Sequence, residues 1–206
     1  MTLQISIIDY NAGNLGSIVK AINHLGAKAI ITNKIPQILD SDGIILPGVG
    51  AFGDCMNNFE KAGFVKGKLF DFIRKDKIPF FGICIGLHML LEESEEFGIH
   101  KGLGLIEGKA VRFPSHLKCP QIGWNSIEKK VSDHFIFSNI PNSTYFYFVH
   151  SYYAICDKPI NILAETNYSG VIFPSMVFKD NIIASQFHPE KSGKMGLRML
   201  QNFLNC

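Results

Sequence analysis

The hydrophobic positions of the first half fall into two alternating rhythms. Leu3–Asp9 is a short apolar run of strand type. It is followed by Asn11-Ala-Gly-Asn-Leu-Gly and a stretch with apolar residues at Leu15, Ile18, Val19, Ile22 and Leu25, the spacing of one helix face. Gly26 ends that helix, and Ala27–Thr32 and Gly43–Leu46 read as further strands, the latter running into Pro47-Gly-Val-Gly50. Residues from about Cys55 to Lys75 read as helix interrupted near Gly63, and Pro79–Ile83 is a fully apolar fourth strand with a helix directly after Cys84. Strands alternating with helices predict a parallel sheet covered on both faces.

Beyond residue 105 the rhythm changes. Ala110–Phe113, Ile122–Glu128, Tyr145–Ile155, Ile162–Glu165, Ser175–Phe178 and Ile182–Phe187 are β-branched or aromatic runs separated by Gly, Asn, Pro and Asp, which predicts antiparallel hairpins. Lys179-Asp-Asn181 is a turn between the last two, and Lys194–Leu204 a closing amphipathic helix. The expected fold class is α/β: a largely parallel central sheet with helices on both faces, plus antiparallel hairpins in the C-terminal half. Without a repeat, linker or low-complexity tract, residues 1–206 are expected to form one domain.

Composition narrows the function classes. Apolar residues make up 47% of the 206, enough for a sizeable core. Twenty Lys plus Arg against 18 Asp plus Glu leave a net charge of +2, no footprint for nucleic acid or an anionic membrane. The apolar runs are too short and too broken by Gly and Pro to span a bilayer, and the N-terminal run lacks a preceding basic region, so the expected location is the cytoplasm. The five cysteines (Cys55, Cys84, Cys119, Cys156, Cys206) are odd in number and widely spaced, and the seven histidines show no ligand spacing, so neither a disulfide framework nor a metal site is expected. No cofactor is expected.

The strongest chemical signal is Gly82-Ile-Cys84-Ile-Gly86, set between an apolar strand and a helix. A residue on so sharp a turn is held in a strained conformation, and small neighbours two positions away give the bend room. The side chain is then presented above the sheet edge, where the helix N-terminus favours a thiolate and the Ile85 N–H can face an attacked carbonyl oxygen. Chance yields about 0.04 such patterns in a chain of this composition, so the signal is specific. A thiol nucleophile needs a base. Gln186-Phe-His188-Pro-Glu190 follows a strand, Pro189 holds His188 extended, and residues two apart in an extended segment share a side, so Glu190 can bond the imidazole. The loop Pro47-Gly-Val-Gly50 lacks the later Gly-Lys-Ser/Thr of a phosphate loop; its N–H groups could serve an oxyanion.

These three motifs, in this order, resemble the class I glutamine amidotransferases. Asp9-Tyr-Asn-Ala-Gly-Asn-Leu-Gly-Ser17, Pro120-Gln-Ile-Gly-Trp-Asn125, Tyr147-Phe-Val-His-Ser-Tyr152 and His188-Pro-Glu-Lys-Ser192 narrow the resemblance to the glutaminase subunits of imidazole glycerol phosphate synthase, over essentially the whole chain. The resemblance implies a flavodoxin-like fold and a triad of Cys84, His188 and Glu190, with oxyanion donors at Val49, Gly50 and Ile85. It also implies substrate contacts from His88 and the backbone of Ser151 and Tyr152, and a partner interface near the ammonia exit at Tyr147 and Lys191. The implied substrate is glutamine. The implied partner is a (β/α)₈ cyclase in a heterodimer, which receives the ammonia and forms imidazole glycerol phosphate and an aminoimidazole carboxamide ribotide in histidine biosynthesis.

The chain departs from the family at His88, where a Gln is usual, and at Asn11, where a Gly is commoner. Two other readings stay open: a paralogue supplying ammonia to a cyclase-like partner in surface-sugar biosynthesis, and a catalytically silent regulatory module. Trp124 is expected to be packed, although the resemblance puts its position near the partner interface; Glu92–Glu96 is expected to be a solvated helix end, and the remaining cysteines to be structural. His150 could be a satisfied buried histidine or an active-site neighbour.

Overall fold

The computed structural model describes residues 2–12 and 15–206; Gly13 and Asn14 of the opening loop lie outside the described residues. In chain order the elements are β1 (Gln4–Ile8), α1 (Leu15–His24), β2 (Lys28–Thr32), α2 (Ile35–Leu39), β3 (Gly43–Gly48), α3 (Phe52–Lys61), α4 (Leu69–Lys75), β4 (Phe80–Cys84) and α5 (Ile85–Leu90). There follow β5 (Glu93–Ser94), β6 (His100–Lys101), β7 (Gly108–Arg112), β8 (Gln121–Lys129), β9 (Thr144–His150), β10 (Tyr152–Cys156), β11 (Ile162–Tyr168), β12 (Val171–Lys179), β13 (Ile182–Ser185) and α6 (Gly193–Leu204).

A nine-stranded sheet runs in the order β2-β1-β3-β4-β13-β12-β11-β8-β9. Its first five strands are mutually parallel, and every pairing from β13 outward to β9 is antiparallel. The 2-1-3-4 start is the doubly wound, flavodoxin-like order, whose ligands sit beyond the carboxyl ends of the strands. Burial explains why the two halves differ. β3 and β4 are buried at every residue, as strands covered on both faces must be, whereas β9 alternates between buried and accessible positions and β8 buries only Gln121 and Ile127. A second sheet, β10-β7-β5-β6, lies apart from the first in hydrogen bonding.

The helix faces follow their sequence pattern. α1 buries Ile18, Ala21 and Ile22, and α6 buries Met199, Leu200, Phe203 and Leu204. Within α6 the buried Asn202 side chain donates to the carbonyls of Ile136 and Ser138, satisfying the loop beneath it.

Three expectations need correction. The run Tyr145–Ile155 is two strands, not one: the chain leaves the large sheet after His150 and joins the small one at Tyr152. The acidic run at 92–96 is not a helix end, because α5 stops at Leu90 and Glu93–Ser94 pairs with β6 and β7. Trp124 is 55% exposed rather than packed, with Tyr147 edge-on at 6.2 Å between ring centroids. The short helix α2, opened by Pro36 in its first turn, has no counterpart in the sequence pattern described above.

Candidate active site

Parallel register brings three strand ends together: Gly48 of β3 lies opposite Cys84 of β4, and Ile83 opposite Ser185 of β13. Cys84 itself has φ 56° and ψ −107°, a conformation that L-residues adopt only where the surroundings impose it. What imposes it is close packing without side chains. A Cβ on Gly82 would stand 2.9 Å from the Gly86 carbonyl oxygen, and one on Gly86 would overlap the carbonyl oxygen of Leu46. The turn therefore closes against β3, and helix α5 starts at the next residue, leaving the Ile85 N–H without an intrahelical partner.

From β13 the chain continues through Gln186 and Phe187 to His188. The imidazole Nδ1 donates to Glu190 Oε1 at 2.8 Å, and both side chains are buried. That bond fixes the ring and leaves Nε2 as the working edge. Burial lowers the pKa of His188, but Cys84 and Glu190 outweigh it and raise it to about 10. Nε2 has no other hydrogen-bond partner, and Cys84 acts on the ring first through side-chain hydrogen bonding and then as a nearby charge. The backbone locks the loop in place: His188 N–H donates to the Tyr147 carbonyl at 2.9 Å, and Ser192 Oγ donates to the His188 carbonyl at 2.6 Å while accepting from the Tyr147 N–H.

A cavity of about 320 Å³ opens at the sulfur, lined by Val49, Gly50, Cys84, Ile85, His88, Glu96, Pro120, Val149, His150, Ser151, Tyr152 and His188. Its volume is at the small end for ligand sites and suits a molecule of amino-acid size. Gly50 has φ +125°, open to glycine and strained for other residues, so the Val49–Gly50 loop can turn its peptide where a side chain would hinder it. Among the described residues no Lys or Arg lines the cavity, and no group of three His, Cys, Asp or Glu could hold a metal ion.

The family of glutamine amidotransferase class-I matches residues 6–206. A curated relative, imidazole glycerol phosphate synthase subunit HisH of Methanocaldococcus jannaschii, is 50% identical over 200 residues, covering 97% of this chain and 98% of its own. The protein of the same name from Chlorobaculum tepidum is 44% identical over 96% of this chain and 97% of its own. The chain is a class I glutamine amidotransferase of the HisH family. Solved structures at lower identity share the fold: PurLQS from Thermotoga maritima superposes with TM-score 0.74 at 19% identity, covering 100% of this chain and 99% of that one. A putative GMP synthase protein from Thermoplasma acidophilum gives 0.72 at 20%, covering 100% and 94%.

In this HisH-family chain the residues singled out from sequence fall into two groups. Cys84, His188, Val49, Gly50, Ile85, His88, Ser151 and Tyr152 all line the one cavity, with Glu190 behind His188. Tyr147 and Lys191 do not line it. Tyr147 sits on the outer strand with its backbone tied to the triad loop, and Lys191 is exposed beside a narrow crevice shared with Val49, His188 and Glu190.

Three features in or beside the cavity extend the sequence reading: Glu96 and Gln186, which it did not single out, and His150, which it left open between a buried histidine and an active-site neighbour. Glu96 accepts from the Phe52 N–H at 2.7 Å, and burial raises its pKa, opposed by that N–H and by His100. His150 donates from Nδ1 to the Tyr152 carbonyl at 2.8 Å, and burial pulls its pKa down to about 3, leaving a neutral ring with Nε2 unpartnered. Gln186, fully buried, lies between His88 and Cys84. The signal for Gln186 is its place in the Gln-Phe-His-Pro-Glu motif; Glu96 carries none beyond its charge.

Proposed function

We propose that this chain, acting as one catalytic unit in the cytoplasm, is the glutamine-hydrolysing subunit of an imidazole glycerol phosphate synthase, with Cys84 as nucleophile. The observation that carries the reading is the strained Cys84 facing a His188–Glu190 pair across a cavity of amino-acid size. Cys84 and Glu190 raise the imidazole pKa to about 10, so His188 is a strong base beside the nucleophilic sulfur and carries the proton that the leaving nitrogen needs.

Two half-reactions complete the cycle. The Cys84 sulfur adds to the side-chain amide carbon of glutamine, and the oxygen takes the negative charge, met by the Ile85 N–H and the Val49–Gly50 backbone. His188 gives its Nε2 proton to the leaving nitrogen, and the C–N bond breaks to release ammonia and leave a thioester. Water then adds to the thioester with the neutral His188 taking its proton, and the sulfur departs as thiolate, giving glutamate and restoring the imidazolium. Glu190 holds the ring through both steps. Glu96 is placed to receive the substrate's α-ammonium, and the Ser151–Tyr152 backbone its amino-acid end.

The acceptor of the ammonia is a cyclase partner docked on the outer strands. Ile122, Trp124 and Ser126 of β8 lie opposite Val149, Tyr147 and Tyr145 of β9 on one face, and Ile122, Trp124 and Tyr145 are each more than half exposed. An apolar aromatic face of this kind is suited to a protein partner. Val149 joins that face to the cavity. Among the described residues no helix is long and apolar enough to cross a membrane. The test is ammonia and glutamate release by the chain paired with its cyclase. C84A is expected to abolish both, and equal release by wild type and C84A would overturn the assignment.

A further inference from the structure

Gln186 is buried between two groups that read its amide in opposite senses. Its Oε1 is 2.7 Å from His88 Nε2, and its Nε2 is 3.9 Å from Cys84 Sγ. The long reach to sulfur suits a large, diffuse anion better than a compact one. His88 is 1% exposed, and burial lowers its pKa to about 4 against the opposing contact with Gln186, so at neutral pH the ring carries a single N–H. The amide and the ring are therefore coupled. With the ring proton on Nε2, the amide oxygen faces His88 and its NH₂ faces the sulfur. With the proton on Nδ1, the amide turns over and sets a carbonyl oxygen against the sulfur, which tolerates S–H and repels S⁻.

We infer that His88 is a positioning residue that acts through Gln186 to keep an N–H donor directed at the Cys84 sulfur, favouring its anionic, attacking form. The inference rests on the reading of Cys84 as nucleophile. It also gives the His88 substitution a content of its own: a ring committed at Nε2 leaves Nδ1 as an acceptor, and that nitrogen has no protein partner among the described residues. A ligand N–H at Nδ1 holds the ring in the same tautomer, so a bound amide reinforces the donor on the sulfur. The other titratable groups around the sulfur are His188 with Glu190 behind it, Tyr10, Cys55 and, in the same cavity, Glu96, and His150 faces both His88 and His188. All six stay unchanged in the variants below.

The experiment is iodoacetamide labelling of Cys84, read on its own peptide by mass spectrometry, across pH 5 to 10 on the full chain. H88F removes the donor and keeps a ring; Q186M removes the amide. Each is expected to move the labelling midpoint upward by about one pH unit, which is about tenfold slower labelling below it. H88Q, whose amide N–H can reach Gln186, restores the midpoint, and H88F/Q186M shifts it no further than Q186M alone. An unchanged midpoint in folded H88F and Q186M, or additive shifts in the double variant, overturns the inference. Should H88F fail to fold, Q186M against wild type carries the same decision. Ammonia release by C84A is scored separately, so loss of the catalytic reading and loss of the positioning reading are distinguishable.

Discussion

A carboxylate in a cavity lined by no lysine or arginine has a natural complement among amino-acid ligands, a cation. Glu96 is held by one backbone N–H and keeps a second oxygen for that purpose. E96Q preserves the acceptor to Phe52 and removes the charge, so KM for glutamine should rise by about tenfold or more with a smaller change in kcat, measured by steady-state ammonia release. The proposed triad could be picked out from sequence because each part sits in a short motif whose local geometry is forced: Cys84 by its flanking glycines, His188 and Glu190 by the proline between them. Glu96 is not legible because its partner, Phe52, is 44 positions away, and the His88–Gln186 contact spans 98. Nothing local marks a residue whose role is made by tertiary contact.

At the scale of elements, the strand β4, the turn at Cys84 and helix α5 act as one rigid piece pressed on β3. Gly86 is where that pressure is greatest, since any side chain there meets the Leu46 carbonyl. G86A should cost about 2 kcal/mol, seen as a lower urea midpoint, and should depress glutamine hydrolysis more than the stability loss accounts for, because the displaced helix carries the Ile85 N–H. The parallel half of the sheet is readable from its uninterrupted apolar runs. The break at Ser151 is harder to read, because only His150 and Ser151 separate two aromatic-rich runs and no Gly, Pro, Asn or Asp marks the point where the backbone changes sheets. Trp124 misleads for a related reason: an aromatic in a strand reads as core, and the position of β8 beside the outermost strand is what leaves its face open.

Across the molecule, buried histidines set the response to pH. His88 and His150, held near 4 and 3 by burial, are neutral in the folded chain at pH values where the unfolded chain protonates them. The unfolded state then binds more protons, so stability should fall as pH drops from about 6.5 towards 4. His188 has the opposite sign: its raised value stabilises the fold fully below about 6.5, and that contribution is lost as pH rises through about 10. Chemical denaturation at pH 4.5, 6.5 and 9.5 should show the optimum in the middle, and H88Q should flatten the acid side. An acid limb as steep in H88Q as in wild type would remove His88 from the account.

The hydrogen bond from the His188 peptide to the Tyr147 carbonyl joins the loop that carries His188 to the outermost strand of the sheet. Only one peptide link separates the imidazole from the rim on which a second protein would rest. A displacement of that rim would therefore reach the His188 backbone through polar contacts alone.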